Sequence, residues 1–537
     1  MKKRVCIFLG GFLALSIVLI IFVFLEKSFE LLENVRIRKI GHIESSLEKC
    51  DELSFTALLC NEIRVPFDDV SNTFYVPINM EENSWEKMKF ISGQPEYDII
   101  ITQDFREKNK KDLVAEGEKV PILVYDDMFW AEYSLVFTGM PIVNLTTNEG
   151  FYSENGIFGI ASFFDIDFTK NGIVESKYEG SIRAKADEFF SKKSVGISLK
   201  KYDTDGKSTS NEKSILGLRN NEEWVLNALY GDDTKIRDRL SMQVWNSYAS
   251  GAISTNRCYG AETAYVEVVV DNVYWGLYGL SENINAKQLG LTEDDYLYEG
   301  RNKGTLKWNY FDFYDETNPY AEVQGFYLVE GMTDEDADLW KPMANLSAVL
   351  ALSNEKFCEL DSKIIDEYNA TNMWLFLQII TGHDLTNSNM YYAAHYNEEY
   401  QFKYRFYFVP FDMNLTWGNM FLEDEITNTH ISMQDMVDDR VYWEVGDRLI
   451  KMNYHESREY MCTLYGILRS TVLSNEKIKN MICDLDYELR ASGAFKRDRE
   501  RWEEDFHADS CEELIDYAIN RLEYLDRALY EAEYYEY

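Results

Sequence analysis

The sequence predicts an α+β protein in three parts. These are an N-terminal membrane-spanning helix over 1–25, a stalk and small β-rich domain over 26–150, and a larger mixed domain over 151–537 with a helical C-terminal part. Three observations carry this. Val5 to Leu25 is a run of twenty-one residues without a charge, long enough to cross a bilayer as a helix. Between Phe55 and Asn144, short runs rich in β-branched and aromatic residues are separated by turn residues. Beyond Glu444 the pattern is helical, ending in an apolar stripe of Leu514, Ala518, Leu522, Leu525 and Leu529.

The apolar run follows Met1-Lys2-Lys3-Arg4, a basic flank that favours a cytoplasmic N-terminus and an extracytoplasmic body. It is longer than a secretory h-region, and no small-x-small site follows, so a signal anchor is expected over a cleaved peptide. Lys27, Arg36, Arg38 and Lys39 on the far side weaken the charge asymmetry. Hydrophobic residues make up 46% of the 537 residues and aromatics 15%, which gives ample core for two or three folded domains. The formal net charge of −39 excludes nucleic acid as the main partner and leaves cationic proteins and divalent metals. None of the eight cysteines forms a C-x-x-C pair, and no H-E-x-x-H is present, so zinc chemistry has no support. Cys50 with Cys60 is the local pair close enough in sequence to consider as a disulfide.

Strands are expected over 73–77, 97–102, 120–125, 134–138 and 140–144, forming a small sandwich with an accessory role. Further strands are expected near 159–164, 178–183 and 191–199, the last with a basic start at Lys192 and Lys193. Lysines at the head of a strand can reach phosphate oxygens, and a solvated turn is the plainer reading. Ile236, Leu240 and Val244 recur every four residues after a capping Asp233 or Thr234, which predicts a helix. The runs 265–272 and 273–280 predict a hairpin turning at Asp271-Asn272, with Ser281 and Glu282 immediately after it. Residues 346–360 and 361–377 read as helices.

The chemistry concentrates between Trp374 and Gly418. An apolar segment breaks at Thr381-Gly382 and is followed by Asp384 and, five positions on, Asn389. A strand-like pair comes next, and the second strand ends at Pro410 with Asp412 and Asn414 just beyond. One helix, one loop and one hairpin can thus bring two carboxylates and an amide to one place. Phosphoryl transfer needs that set: a carboxylate to take the acceptor's proton, and an Asn and a second Asp to hold Mg²⁺. The five-residue spacing matches the catalytic loop of protein kinases, although an Asx turn would produce it too.

Six segments in order resemble the CotH-type spore-coat kinases, a family with a divergent protein-kinase-like fold. They are Ser181-Ile182-Arg183 with Lys192-Lys193-Ser194; Trp224-Val225-Leu226 with Asp233-Thr234 and Arg237; Trp275-Gly276-Leu277-Tyr278 with Glu282; Asp384 with Asn389-Met390-Tyr391-Tyr392; Pro410-Phe411-Asp412-Met413-Asn414 through Gly418; and Asn520-Arg521-Leu522. The resemblance spans about Gly156 to Leu529. It implies an atypical kinase-like catalytic domain that uses ATP and Mg²⁺ to phosphorylate Ser or Thr of surface or spore-coat proteins, a basic, Ser-rich protein being one candidate substrate.

By the same resemblance, Asp384 is the catalytic base. Lys193 binds phosphates with Lys192 or Arg183 in support, and Glu282 frames the adenine. Asn389 and Asp412 hold the metal, with Asn414 where the family has a second Asp. Phe411 replaces a Trp, Ala184 and Lys185 replace a Gly-Asn pair, and Val195 and Gly196 replace an aromatic and a basic residue. Losing a metal carboxylate makes a catalytically inactive scaffold the alternative. A carbohydrate-active surface protein built on paired carboxylates is a third reading.

Overall fold

A computed structural model describes residues 36–537 apart from residue 82 and segments 148–155, 168–171, 185–190, 250–259, 302–305, 307–321, 332–337, 361–362, 387, 420–436 and 536–537. The chain divides into two compact units. One comprises 1–144, 163–176 and 269–274, and the other 145–162, 177–268 and 275–537.

In the first unit a mixed sheet runs in the order Phe67–Asp68, Thr73–Pro77, Phe129–Thr138, Val120–Tyr125 and Asp98–Ile101, with Glu48–Lys49 paired to the start of Phe129–Thr138. Thr73–Pro77 lies parallel to Phe129–Thr138, with Thr73 opposite Ser134. A strand buried at every position is what the run Thr73-Phe-Tyr-Val-Pro77 dictates, since neither side chain set can face water. Phe55, Phe67, Phe74 and Tyr133 pack ring against ring beneath it. Three short strands, Leu58–Cys60, Ile63–Arg64 and Phe90–Ser92, make a second sheet. Cys50 and Cys60 are both free thiols.

Most of a closed sheet lies in the second unit. Its strands are β1 (Ile142–Thr147), β2 (Ile157–Asp167), β3 (Gly172–Ala184), β4 (Val195–Tyr202), β5 (Glu223–Asn227), β6 (Thr263–Val270) and β7 (Val273–Glu282). They follow the order β3-β2-β1-β6-β7-β5-β4, and β3 pairs β4 to close a seven-stranded barrel. Closure removes the sheet's free edges. The β6–β7 hairpin turns on Asp271 and Asn272 at φ 48° and 60°, the left-handed pair that a tight two-residue turn requires. Between β5 and β6 lies helix α1 (Arg237–Ala249), whose start is fixed by the buried Arg237 pairing with Asp232 at 2.5 Å and with Asp233.

After the barrel comes a four-stranded antiparallel sheet in the order β9-β8-β10-β11: β8 (Tyr296–Gly300), β9 (Phe326–Glu330), β10 (Met390–Tyr396) and β11 (Tyr404–Pro410). Helix α2 (Glu367–Ile380) is capped by the Asp366 side chain and buried continuously from Asn369 to Ile380. A helix apolar on all sides must be a core helix. The Asn369 side chain fixes it to β11 by accepting from Phe408 N at 2.7 Å and donating to Phe408 O at 3.2 Å. The C-terminal part includes α3 (Ala494–Arg501) and α4 (Glu512–Ala528). Leu514, Ala518, Leu522 and Leu525 are fully buried, so the α4 stripe packs onto its own unit.

The expected architecture needs correcting. The barrel was not among the expected elements. Strands after Ile142 continue to Glu282 and close into a barrel, because β1 pairs with β6 and β5 with β7 across long stretches of sequence, while β3 pairs with β4, the next strand in the chain. No helix among the described residues is long and apolar enough to cross a membrane, so the membrane helix expected as part of the fold has no support there. The span expected at 5–25 lies outside the described residues. Trp224–Leu226 lies in strand β5, with Val195 opposite Leu226 on one side and Leu280 on the other, and the chain runs from it into α1. The helix expected over 361–377 begins only at Glu367, where Asp366 supplies the cap.

Candidate functional site

The site forms where the end of α2 meets the ends of β10 and β11. Thr381 caps α2 in the left-handed conformation at φ 50°, and a single 3₁₀ turn, His383–Leu385, follows. Thr386 Oγ1 closes that turn on His383 O at 3.0 Å. Asn389 then lies between two strands: its N–H donates to Gly300 O at 3.1 Å, and its carbonyl accepts from Phe411 N at 2.9 Å. These bonds aim its side chain back at the turn, where Nδ2 donates to Asp384 Oδ2 at 2.8 Å and to Asp412 O at 3.4 Å. Asn389 and Asp412 both have positive φ, 50° and 51°. Such backbone costs of order 1–3 kcal/mol for each non-glycine residue and persists where the surroundings enforce it.

A buried network does the enforcing. Asp238, on the first turn of α1, accepts from Met413 N at 2.8 Å. Thr416 Oγ1 donates to Met413 O at 2.8 Å and meets Ser241 Oγ at 3.1 Å, and Trp417 Nε1 donates to the same Ser241 Oγ at 2.9 Å. Trp417 N donates to Ile380 O at 2.6 Å, and Tyr517 OH reaches Thr381 Oγ1 at 2.9 Å. The turn carrying Asp412 and Asn414 is therefore pinned to α1, α2 and α4. Asp412 Oδ1 accepts from Asn414 Nδ2 at 3.0 Å and from Asn227 Nδ2, on β5, at 3.4 Å.

A cleft of about 130 Å³ opens beside this cluster, lined among others by Arg183, Asn227, Asp238, Glu282, Arg301 and Asp412. The Arg183 guanidinium lies across Gly196, the residue opposite it on β4, about 3.9 Å from where a side chain would begin. Arg183 is exposed and forms no ion pair among the described residues. Arg301 is held by both oxygens of Glu299, at 2.7 and 2.6 Å. Glu282 is sealed, with Oε1 accepting from Arg219 Nε at 2.7 Å and Glu262 N at 3.2 Å, while its Oε2 has no donor.

The sequence-derived site thus separates into groups. Asp384, Asn389, Asp412 and Asn414 converge, and Arg183 and Glu282 line the cleft that contains Asp412. Lys193 is half-buried just before β4, where its carbonyl accepts from Tyr278 OH at 3.0 Å, and it is not among the cleft-lining residues. Lys192 is fully buried. Its Nζ donates to Asp498 Oδ1 at 2.7 Å and Leu277 O at 2.5 Å. Burial would push the Asp498 carboxyl up, but Lys192, His507 and Lys235 outweigh it and hold that carboxyl well below its ordinary range. Gly276 serves this pair rather than an adenine. At φ 96° it leaves room for Asp498, and any side chain there would collide with the carboxylate.

Asp238 and Asn227 were not singled out from the sequence, because neither sits in a recognisable spacing with Asp412. Their signals were only the helix start at 237 and the end of the Trp224 strand.

Asn389, Asp412 and Asn414, with Asp384 beside them, offer the hard oxygen donors that suit Mg²⁺. Asn414 Oδ1 is buried with no hydrogen-bond donor, as an oxygen reserved for a cation would be. A second acidic group, Asp498, Asp505 and His507, is close enough to chelate. There, however, Lys192 and Lys235 already occupy the carboxylates, which makes it a buried charge network.

A family model described as "CotH kinase protein" matches residues 177–525. No curated protein matches the chain.

Proposed function

The chain belongs to the CotH kinase family, and we propose that it transfers the γ-phosphoryl group of ATP, with Mg²⁺, to Ser or Thr hydroxyls of spore-coat or other surface proteins. The observation that carries this reading is the convergence of Asp384, Asn389 and Asp412, with Asn389 donating to Asp384 at 2.8 Å. When bound, Mg²⁺ would neutralise phosphate charge there. Asp384 takes the proton of the acceptor hydroxyl, whose oxygen bonds to the γ-phosphorus as the bond to the bridging oxygen breaks and ADP leaves. Asn389 keeps that carboxylate aimed. Arg183 offers a planar pair of donors to phosphate oxygens, the geometry such oxygens prefer. The segment Ser281–Ile284 also lines the cleft and offers a wall against which a base can lie.

The test uses the full chain. ATP with Mg²⁺ raises the melting temperature, and ³²P is transferred to a basic, Ser-rich protein. Asp384→Asn abolishes transfer and keeps nucleotide binding, whereas Asp412→Ala loses the Mg²⁺-dependent part of binding. Absence of both stabilisation and transfer overturns the reading. One observation favours a second reading, an inactive scaffold: Asn414 stands where the family has a carboxylate, so the site carries one charge fewer. Under that reading ATP binds without transfer, and Asn414→Asp restores activity.

A further inference from the structure

A second cavity shares the Glu282–Ile284 segment with the cleft. It has a volume of about 560 Å³ and also shares Glu223 with the cleft. That volume is within the range of small-molecule sites. Its walls carry Glu212, Glu222, Glu223, Glu282 and Glu330 against Arg219 and Lys287. Both cations are already committed, Arg219 to Glu282 at 2.5 Å and Lys287 to Glu212. Glu222 and Glu223 share one lysine, Lys200, at 3.7 and 3.8 Å. The cavity therefore keeps an excess of negative charge after its internal pairs are counted.

Three groups in its wall are unfinished, the first being Glu222, whose buried Oε2 has no hydrogen-bond donor. The Glu282 side chain is 1% exposed and its Oε2 has no donor. Gln288 lines the same cavity, and both its Oε1 and its Nε2 are buried without partners. Leaving a buried acceptor unpaired is costly, so the Glu282 and Gln288 oxygens in one electronegative cavity mark a place where donors are missing. The Gln288 oxygen adds a second acceptor beside Glu282 Oε2. The complement is an organic cation with several N–H groups.

We propose that this cavity binds an organic cation, an ammonium or guanidinium, beside the nucleotide cleft. The source is either a Lys or Arg side chain of a peptide or a free polyamine, and the chemistry is shared. The assignment does not depend on phosphoryl transfer, because it concerns binding alone.

The experiment is calorimetric titration of the full chain, without nucleotide, with spermidine in one arm and a capped Ser-Arg-Arg-Ser peptide in the other. Binding weakens with added salt in whichever arm is occupied. Glu212→Gln with Glu330→Gln weakens it by about tenfold, the scale of one to two partly exposed charge contacts. Gln288→Leu, which removes the amide and no charge, weakens it further, while ATP stabilisation is unchanged in all variants. Binding of the peptide but not spermidine assigns the cavity to a protein segment, and the converse assigns it to a polyamine. Failure of both probes to bind at millimolar concentration, or binding indifferent to these substitutions, overturns the proposal. Loss of ATP binding in the wild-type chain instead would count against the kinase reading and leave this titration interpretable.

Discussion

Replacing Lys192 by Met separates a structural lysine from a phosphate-binding one. Lys192 and Asp498 are both 0% exposed, and the lysine holds Asp498 Oδ1 at 2.7 Å and Leu277 O at 2.5 Å. Methionine keeps the volume and removes the charge. Asp498 would retain Leu277 N–H at 2.8 Å and His507 Nε2 at 3.0 Å, so it would be left partly compensated. Breaking a buried pair typically costs 3–5 kcal/mol, and the surviving donors put this case near the lower end, about 3 kcal/mol. Urea unfolding would show it as a lower midpoint at unchanged slope. Adding Asp498→Asn to Lys192→Met removes the stranded charge and should recover about half of the loss, the signature of a coupled pair. Below its own melting temperature the Lys192→Met protein should bind Mg²⁺–ATP as the wild type does, whereas Arg183→Ala should not. A Lys192→Met protein of unchanged stability that failed to bind ATP would refute this assignment and put Lys192 at the phosphates.

Gly276→Ala should cost at least about 3 kcal/mol, because the new methyl meets the Asp498 carboxylate at φ 96°, and its melting curve checks this. Asn414→Asp should tighten Mn²⁺ binding by about tenfold, read by calorimetry, since it adds a carboxylate to an all-oxygen set. Burial lowers the His383 pKa below its usual 6.5, so its neutral form is favoured in the fold; the stability this contributes is full above pH 6.5 and is lost as pH falls below it. Urea midpoints of His383→Asn should therefore decline less over that interval than those of the wild type. Burial also pushes the Cys60 thiol up to about 12, so iodoacetamide at mildly alkaline pH should label the exposed Cys358 and leave Cys60 untouched in the folded protein.

What could be read from the sequence was local. The Asp271-Asn272 turn, the helix on Ile236, Leu240 and Val244, and the Asp384–Asn389 and Asp412–Asn414 loops all lie within a few residues of their own signals. The barrel could not be read, because it depends on β1 meeting β6 and β5 meeting β7, and no short pattern records which distant strand a given strand joins. Lys192 misled for a related reason. A lysine beside a second lysine reads as a solvated strand head, and the partner that buries it, Asp498, lies 306 positions away. Asp238 was hidden likewise, since its role comes only from a backbone N–H at Met413, 175 positions on. The Asn414 substitution was visible in the sequence, whereas its unpartnered oxygen became apparent only in three dimensions.

The most direct test is a crystal structure of the chain with a non-hydrolysable ATP analogue and Mn²⁺, read by anomalous scattering. The account predicts a manganese peak bonded to Asp412 and at least one of Asn389 and Asn414, with the triphosphate against Arg183 and Asp384 facing the γ-phosphate. A nucleotide seated elsewhere, or a manganese peak at Asp498 and Asp505 with none at Asp412, would contradict it.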